Sequence, residues 1–324
     1  MKKQLRIGTR DSQLAVWQAT LVQNFLKDAG IASELIFIKS EGDVDTITPL
    51  YQLGVQGVFT KTLDAALLNN RIDLAVHSMK DVPTQMAQGL QQAAVLKRAS
   101  YKDILVVNGE LSTVNRELGY ADGDWSEQYD RTNSSSLTIA TSSVRRKAQW
   151  LNRYPTHLFE NLRGNVNTRL RKVAESNWSG AIFAAAGLER IDVRPQNSID
   201  LDWMLPAPAQ GAIMIACREG DSETYEACHQ FNDPITALCT KIERDFLKTL
   251  LGGCSTPISA LAEVENNSVV FRGNICSIDG TALEQIEYER PVADAETIGL
   301  RAANELLQNN AAQQIMADIR HAKK

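Results

Sequence analysis

Three sets of residues in this chain have types and spacings that could do chemistry. The first is a thiol on a turn. An apolar-periodic segment with Ile235, Leu238, Ile242, Phe246 and Leu250 runs into Leu251-Gly252-Gly253-Cys254-Ser255-Thr256-Pro257. Apolar residues at such spacings mark one face of a helix. The two glycines stop the pattern, as a helix C-terminus needs, and Pro257 bars its resumption. Cys254 is therefore expected on an anchored loop near the surface, where a thiol can react. A lone Cys is more often a small buried apolar residue than a reactive one, so Cys254 decides nothing by itself.

The second set is built from arginine and hydroxyl groups. Thr9-Arg10-Asp11-Ser12 joins a predicted strand to a predicted helix, and Thr141-Ser142-Ser143-Val144-Arg145-Arg146 repeats that joint later in the chain. A strand end feeding a helix N-terminus presents unpaired backbone N–H groups and the positive end of a dipole, which suit an anion. Capping by Asp11 and by Ser142 or Ser143, with the arginines in solvent, is the plain account of either joint. Between Ser142 and Lys172 there are eight Lys or Arg and one acid, Glu160, a net +7 within a chain of net charge -5. Arginine, which supplies six of the eight, grips carboxylate or phosphate through two parallel hydrogen bonds. Leu162-Arg163-Gly164-Asn165-Val166-Asn167-Thr168-Arg169 puts Arg163 at another strand end and Arg169 further along the next helix. Lys147, Arg153, Arg171 and Lys172 read as solvated helix faces. The rest suit a polyanionic small molecule or a nucleic acid. Trp150, Tyr154 and Phe159 lack the stacking pattern of an RNA-binding sheet.

The third set is Val76-His77-Ser78-Met79-Lys80-Asp81-Val82-Pro83, an apolar strand that ends in Lys80-Asp81 before a proline. Ligands meet residues at strand ends of open parallel sheets. An aspartate there, beside a cation and facing an arginine-lined cleft, could stabilise developing positive charge or move a proton. A turn-forming Asp before Pro is the structural alternative.

The elements that must position these residues alternate. Strands are expected at Leu5–Thr9, Glu34–Ile38, Ile72–Met79, Leu137–Thr141, His157–Phe159, Ala181–Ala185 and Gly211–Cys217. Helices are expected after Ser12, from about Phe59 to Asn69, after Ser143 and from Asn165 to Ala174. Such alternation gives sheets with helices on their faces. Asn108–Ser136 is a polar excursion. Past Cys254 the pattern becomes hairpins, Ala260–Glu265, Ser268–Cys276 and Ala282–Arg290, closed by one amphipathic helix from Ala295 to about Ile319.

At 324 residues the chain exceeds one typical core, so two or three domains are expected. The five cysteines and four histidines show no metal-ligand spacing, so no metal site is expected, and Cys217 and Cys239 read as core residues. An odd cysteine count without an apolar leader segment points to a reducing cytoplasm. No apolar run approaches the roughly 18 residues of a membrane helix. The acidic net charge speaks against nucleic acid.

Thr9–Gln18, Val76–Pro83, Thr141–Arg146, Leu162–Arg169, Pro208–Ala212 and Gly252–Cys254 stand in the order and spacing of hydroxymethylbilane synthase (porphobilinogen deaminase), a family this chain resembles over nearly its whole length. The resemblance implies an α/β fold of two periplasmic-binding-protein-like lobes, with mixed, mostly parallel sheets, plus a small C-terminal α+β domain. The implied divisions are 1–103 with 205–231, then 104–204, then 232–324. It implies a transferase of haem and tetrapyrrole biosynthesis that condenses four porphobilinogens head to tail, releases ammonia and hydrolyses off linear hydroxymethylbilane. It implies a dipyrromethane cofactor bound covalently through Cys254, and Asp81 as the catalytic residue. Cofactor and substrate carboxylates fall to Arg10, Ser12, Lys80, Thr141, Ser143, Arg145, Arg146, Arg163, Arg169 and Arg190. Gln18, Phe59 and Gln210 are further expected cleft residues. The implied setting is a cytoplasmic monomer that passes its product to uroporphyrinogen-III synthase, with no nucleic-acid or membrane partner.

Two departures stand out. Gln52 and Gln56 occupy positions where the family commonly has lysine, and the 108–136 excursion is longer than usual and reads as an insertion. On the residues alone, a bilobal anion-binding protein without catalysis remains an alternative.

Overall fold

The computed structural model describes residues 4–39, 60–121, 123–126, 136–250 and 256–321. Its strands are β1 (Leu5–Thr9), β2 (Ser33–Phe37), β3 (Leu74–Ser78), β4 (Leu90–Val95), β5 (Asp103–Val107), β6 (Tyr120–Ala121), β7 (Asp124–Trp125), β8 (Thr138–Ala140), β9 (Leu158–Glu160), β10 (Gly180–Ala184), β11 (Ser198–Asp200), β12 (Ile213–Arg218), β13 (Ile258–Glu265), β14 (Ser268–Cys276) and β15 (Leu283–Pro291). Its helices are α1 (Gln13–Asp28), α2 (Lys61–Leu68), α3 (Leu111–Leu118), α4 (Val144–Arg153), α5 (Val166–Glu175), α6 (Ala185–Glu189), α7 (Ser222–His229), α8 (Pro234–Thr249), α9 (Ile298–Leu306) and α10 (Asn310–His321).

Two five-stranded sheets repeat one topology. The first has the order β2-β1-β3-β12-β4, and the second, read from its far edge, is β9-β8-β10-β5-β11. In the first, β1, β2 and β3 are mutually parallel and β12 runs against both β3 and β4. In the second, β5 is the reversed strand, antiparallel to β10 and β11, while β8 pairs in parallel with β9 and β10. Each sheet is thus mixed but mostly parallel in strand direction. The chain crosses between the lobes twice, and each crossing delivers it to the reversed strand of the sheet it enters. All five residues of β5 are buried, as are the first five of β12. A strand covered by helices on both faces has no solvent side and needs no alternation.

The third sheet, β13-β14-β15, is an antiparallel meander. Asn266 and Asn267 turn its first hairpin at φ 48° and 65°, the left-handed pair that a tight two-residue hairpin turn demands. Ile242 and Phe246 of α8 pack with Phe271, Ile275, Ile298, Ala302, Ile315 and Ile319 to form its core. Helix α9 approaches α8 so closely that a Cβ on Gly299 would lie 1.9 Å from the Ile242 carbonyl oxygen.

Several expectations change. Ser12 sits at the N-cap of α1 with its side chain making no capping bond, whereas Ser143 does cap α4 through the Arg146 N–H. The closing helix is two helices, because the Asn309 side chain accepts from Ala311 N–H and starts α10 afresh. The polar excursion holds α3 and the β6–β7 hairpin; residues 122 and 127–135 lie outside the described residues. Strands β4, β5 and β11 and helices α6 and α7 had no counterpart in the sequence reading. Among the described residues no helix is long and apolar enough to cross a membrane.

Candidate active site

Lobe one brings Lys80 and Asp81 to the cleft on a single 3-10 turn, Met79–Asp81, at the end of β3. The turn is pinned from the sheet side by Met79 N–H donating to the Ala212 carbonyl at 3.0 Å. Asp81 lines a hollow of ≈ 40 Å³ with Arg10, Gln18, His77 and Ser78. The hollow has room for ordered water. Gln18 is buried and donates to the Ser78 hydroxyl at 2.9 Å, which fixes α1 to the end of β3. His77 is buried beside Arg10; burial foremost and then that charge push its imidazole down to about 4, so it is neutral near pH 7.

Lobe two brings the arginines. Arg145 and Arg146 enter on the first turn of α4, and Arg163 and Arg169 bracket the start of α5. Arg169 donates its Nε to the Gly164 carbonyl at 2.7 Å. Burial first, with Arg146 beside it, lowers its guanidinium to about 10, while Asp81 across the cleft pulls it back up. Asp81 and Arg169 thus sense each other from opposite lobes. Lys80 is lowered to about 8 by desolvation, opposed chiefly by Asp81, with Arg146, Asp103 and Arg145 acting more weakly.

Arg145 and Arg146 correct the sequence reading in one respect: neither simply awaits a ligand. Both grip Asp103, the buried first residue of β5. Arg145 Nη2 lies 2.6 Å from Oδ2, and Arg146 Nη2 and Nε lie 2.7 and 3.0 Å from Oδ1. Gln210 Nε2 adds a fourth bond to Asp103 at 2.9 Å, and its Oε1 accepts from Lys80 at 3.3 Å. Burial raises the Asp103 carboxyl, but the two guanidinium groups and these hydrogen bonds outweigh it and hold the group well below the usual carboxylate range. The pair therefore contributes one net positive charge, and its geometry is set by Asp103.

Thr141 is buried, with its hydroxyl accepting from Ser143 N–H at 3.2 Å, so Thr141 and Ser143 shape the joint. Arg190 is placed apart: Nη2 donates to the Gly211 carbonyl at 2.6 Å and the guanidinium lies over the Trp17 ring. It is a strut between the lobes, lowered to about 10 by burial. Cys254, Phe59, Gln52 and Gln56 lie outside the described residues.

The sequence reading missed the residues that hold this cleft in shape. Asp103 carried one signal, an acid opening a wholly apolar run. Glu243, fully buried on α8, accepts from Arg98 at 2.6 and 3.1 Å, from Ala209 N–H at 2.6 Å and from Ala262 N–H at 2.9 Å. It thereby ties both crossing segments to the third domain. Arg244, the next residue, reaches the Asp81 turn.

A larger hollow, ≈ 530 Å³, lies between residues 201–206 and the third sheet. Its charges are already matched, with Lys102 on Asp202 at 2.6 Å and Arg272 near Glu287 at 3.6 Å. It has no uncompensated charge for an anion. The cleft differs: among the described residues Arg10, Lys80, Arg145, Arg146, Arg163 and Arg169 gather around Asp81 and Asp103.

Comparison with known proteins follows the same lines. Residues 5–226 match the family model "Porphobilinogen deaminase, dipyromethane cofactor binding domain", and residues 237–308 match "Porphobilinogen deaminase, C-terminal domain". Porphobilinogen deaminase of Syntrophotalea carbinolica is 39% identical over 95% of this chain and 93% of its own length. That of Geobacter metallireducens is 37% identical over 98% of this chain and 95% of its own. That of Geobacter sulfurreducens is 38% identical over 97% and 94%. Among solved structures, an ancestral cationic amino acid solute binding protein aligns with a TM-score of 0.43 and 11% identity over 70% of this chain and 87% of that one, a likeness too slight to carry argument.

Proposed function

We propose, for a chain that belongs to the porphobilinogen deaminase family, a specific division of labour among its cleft residues. The activity is that of hydroxymethylbilane synthase, a transferase of tetrapyrrole biosynthesis that joins four porphobilinogens and works with a dipyrromethane cofactor. The chemistry of the cleft fits that cofactor. Two pyrroles bearing an acetate and a propionate each carry four carboxylates. Guanidinium groups gathered at the cleft suit such carboxylates, which they can grip through paired hydrogen bonds.

In our reading Arg10, Arg163 and Arg169, with Ser12, take the carboxylates of cofactor and substrate. Lys80 adds a point charge, and Arg145 and Arg146 a shared charge anchored on Asp103. Each charge-assisted hydrogen bond contributes roughly 1.5–3 kcal/mol. Cys254 holds the cofactor by a thioether, and when bound the cofactor supplies the terminal pyrrole carbon on which the chain grows. Asp81, on the turn that ends β3, would face the carbon that reacts. When the aminomethyl C–N bond of porphobilinogen breaks, the electron pair leaves with nitrogen as ammonia and the pyrrole becomes a cationic azafulvene. A carboxylate fixed on a short turn opposes that charge without reorganising. After the new C–C bond forms, the displaced ring proton can pass to Asp81. The product, linear hydroxymethylbilane, then passes to uroporphyrinogen-III synthase. We also infer a cytoplasmic monomer.

One observation supports this reading most: Asp81 is the carboxylate on the lobe-one turn that sits within electrostatic reach of Arg169 on lobe two. The test has two arms. Intact mass of purified protein should show a two-pyrrole adduct that is absent in Cys254→Ser. Asp81→Asn should keep the adduct and lose about 100-fold or more in kcat. A wild-type chain without adduct, or an Asp81→Asn enzyme with near-normal kcat, would overturn the respective assignment.

A further inference from the structure

The turn that carries Lys80 and Asp81 belongs to lobe one, yet its strongest grip comes from the third domain. Arg244 of α8 donates Nη1 to the Val82 carbonyl at 2.9 Å and, more weakly, to the Met79 carbonyl at 3.4 Å, and Nη2 to the Pro83 carbonyl at 2.6 Å. These carbonyls flank Asp81 on both sides in sequence. The turn itself has little internal support, a single Val82 N–H to Met79 carbonyl bond at 3.1 Å. Pro83, lacking an N–H, cannot extend it. Left to itself such a turn frays. The fork of one guanidinium spans it and fixes the backbone from which the Asp81 side chain projects.

The helix that supplies the fork is itself immobilised. Glu243 ties α8 to Arg98 and Ala209 on the two crossing segments. Asp233 caps its start through Thr236 N–H at 2.7 Å, and α8 ends at Thr249, five residues before Cys254. One rigid helix therefore runs from the Asp81 turn toward the segment that bears the thiol. We propose that Arg244 is a positioning residue for Asp81, setting the place of its carboxylate relative to the chain end carried from the third domain.

This inference rests on Asp81 acting in the reaction, so the test separates the two. Holoenzyme carrying Arg244→Met should keep the adduct mass and lose about 10- to 100-fold in kcat, the range a displacement of an ångström gives a positioned catalytic group. KM should change by no more than about threefold, because Arg244 does not touch substrate. Arg244→Lys should recover part of the loss, since a point donor reaches some of the carbonyls without the fork. In an Asp81→Asn background, Arg244→Met should add little further loss, because it acts through the same group. A folded Arg244→Met holoenzyme with wild-type kcat overturns the proposal. So does an equal fold-loss in both backgrounds, which marks general structural support. Should Arg244→Met yield no folded holoenzyme, Arg244→Lys decides, and full kcat in that variant overturns it. Near-normal kcat in Asp81→Asn alone instead removes the role of Asp81.

Discussion

The Asp103→Asn substitution is the sharpest probe of how the cleft holds its arginines. Asp103 is fully buried and accepts four hydrogen bonds, one from Arg145, two from Arg146 and one from Gln210. Asn keeps the shape and loses the charge. It leaves two buried guanidinium groups without a counter-ion and turns one acceptor into a donor facing them. Removing one partner of a buried ion pair destabilises by about 3–5 kcal/mol, a large share of the 5–15 kcal/mol that holds a typical protein folded. Urea unfolding, read by circular dichroism at pH 7, should show a midpoint lowered in proportion. The pH dependence supplies an independent check. The folded carboxyl lies below its unfolded value of about 3.9. Its stabilisation is therefore fully present above about pH 4 and lost as pH falls through the folded value. The gap between wild type and variant should be flat from pH 5 to 8 and narrow only in stronger acid. A gap under about 1 kcal/mol at pH 7, or one that narrows near pH 6, would refute the reasoning.

Two further perturbations test neighbouring parts of the site. Lys80, lowered to about 8, loses its charge as pH rises through that value, so kcat/KM for porphobilinogen should fall above about pH 8. Lys80→Arg keeps its charge there and should move the alkaline limb upward, and an unmoved limb would assign it to another group. Gly211 has φ +86°, and a Cβ there would lie 2.7 Å from the Ser100 carbonyl oxygen and 2.8 Å from that of Ala99. Gly211→Ala should therefore force the two crossing segments apart and lower thermal stability, by at least the roughly 1–3 kcal/mol of a strained backbone; an unchanged melting temperature would show that the segments yield freely.

What the sequence made legible is what is local. The strand ends at Thr9, Ser78 and Ala140, and the helices after the first and last of these, follow from runs and punctuation within about ten residues. So does the Lys80-Asp81 turn, closed by Pro83. The illegible parts are long-range. Asp103 meets Arg145 across 42 residues, Arg98 meets Glu243 across 145, and Arg244 meets Pro83 across 161. No period in the chain encodes such pairings; topology creates them by bringing β5, β12 and α8 to one place. The same cause explains why the pairing of Arg145 and Arg146 with Asp103 was not legible. An arginine-rich joint reads as a ligand site until the buried acid that meets it is known.

These long-range contacts also rank the joints between the lobes by strength. Asp103 opens β5 of the second sheet, and Arg145 and Arg146 stand on α4, which follows β8 of the same sheet, so their ion pairs lie within that one sheet and its helix. Lobe one reaches that cluster through the neutral amide of Gln210, whose link to Lys80 is 3.3 Å long. Arg190 on Gly211 is another strut, and Asn167 on α5 donates to Gln13 on α1 at 2.7 Å. A hydrogen bond to a charged group contributes about 1.5–3 kcal/mol, against about 3–5 kcal/mol for breaking a buried ion pair. The weaker links therefore lie at Gln210 and the strongest at Asp103. Glu243 and Arg244 meanwhile keep the Asp81 turn and both crossings fixed to α8. Arg145 and Arg146 of the cleft wall and the turn that carries Asp81 are thus braced from different elements, the arginines by buried Asp103 and the turn by Arg244 of α8.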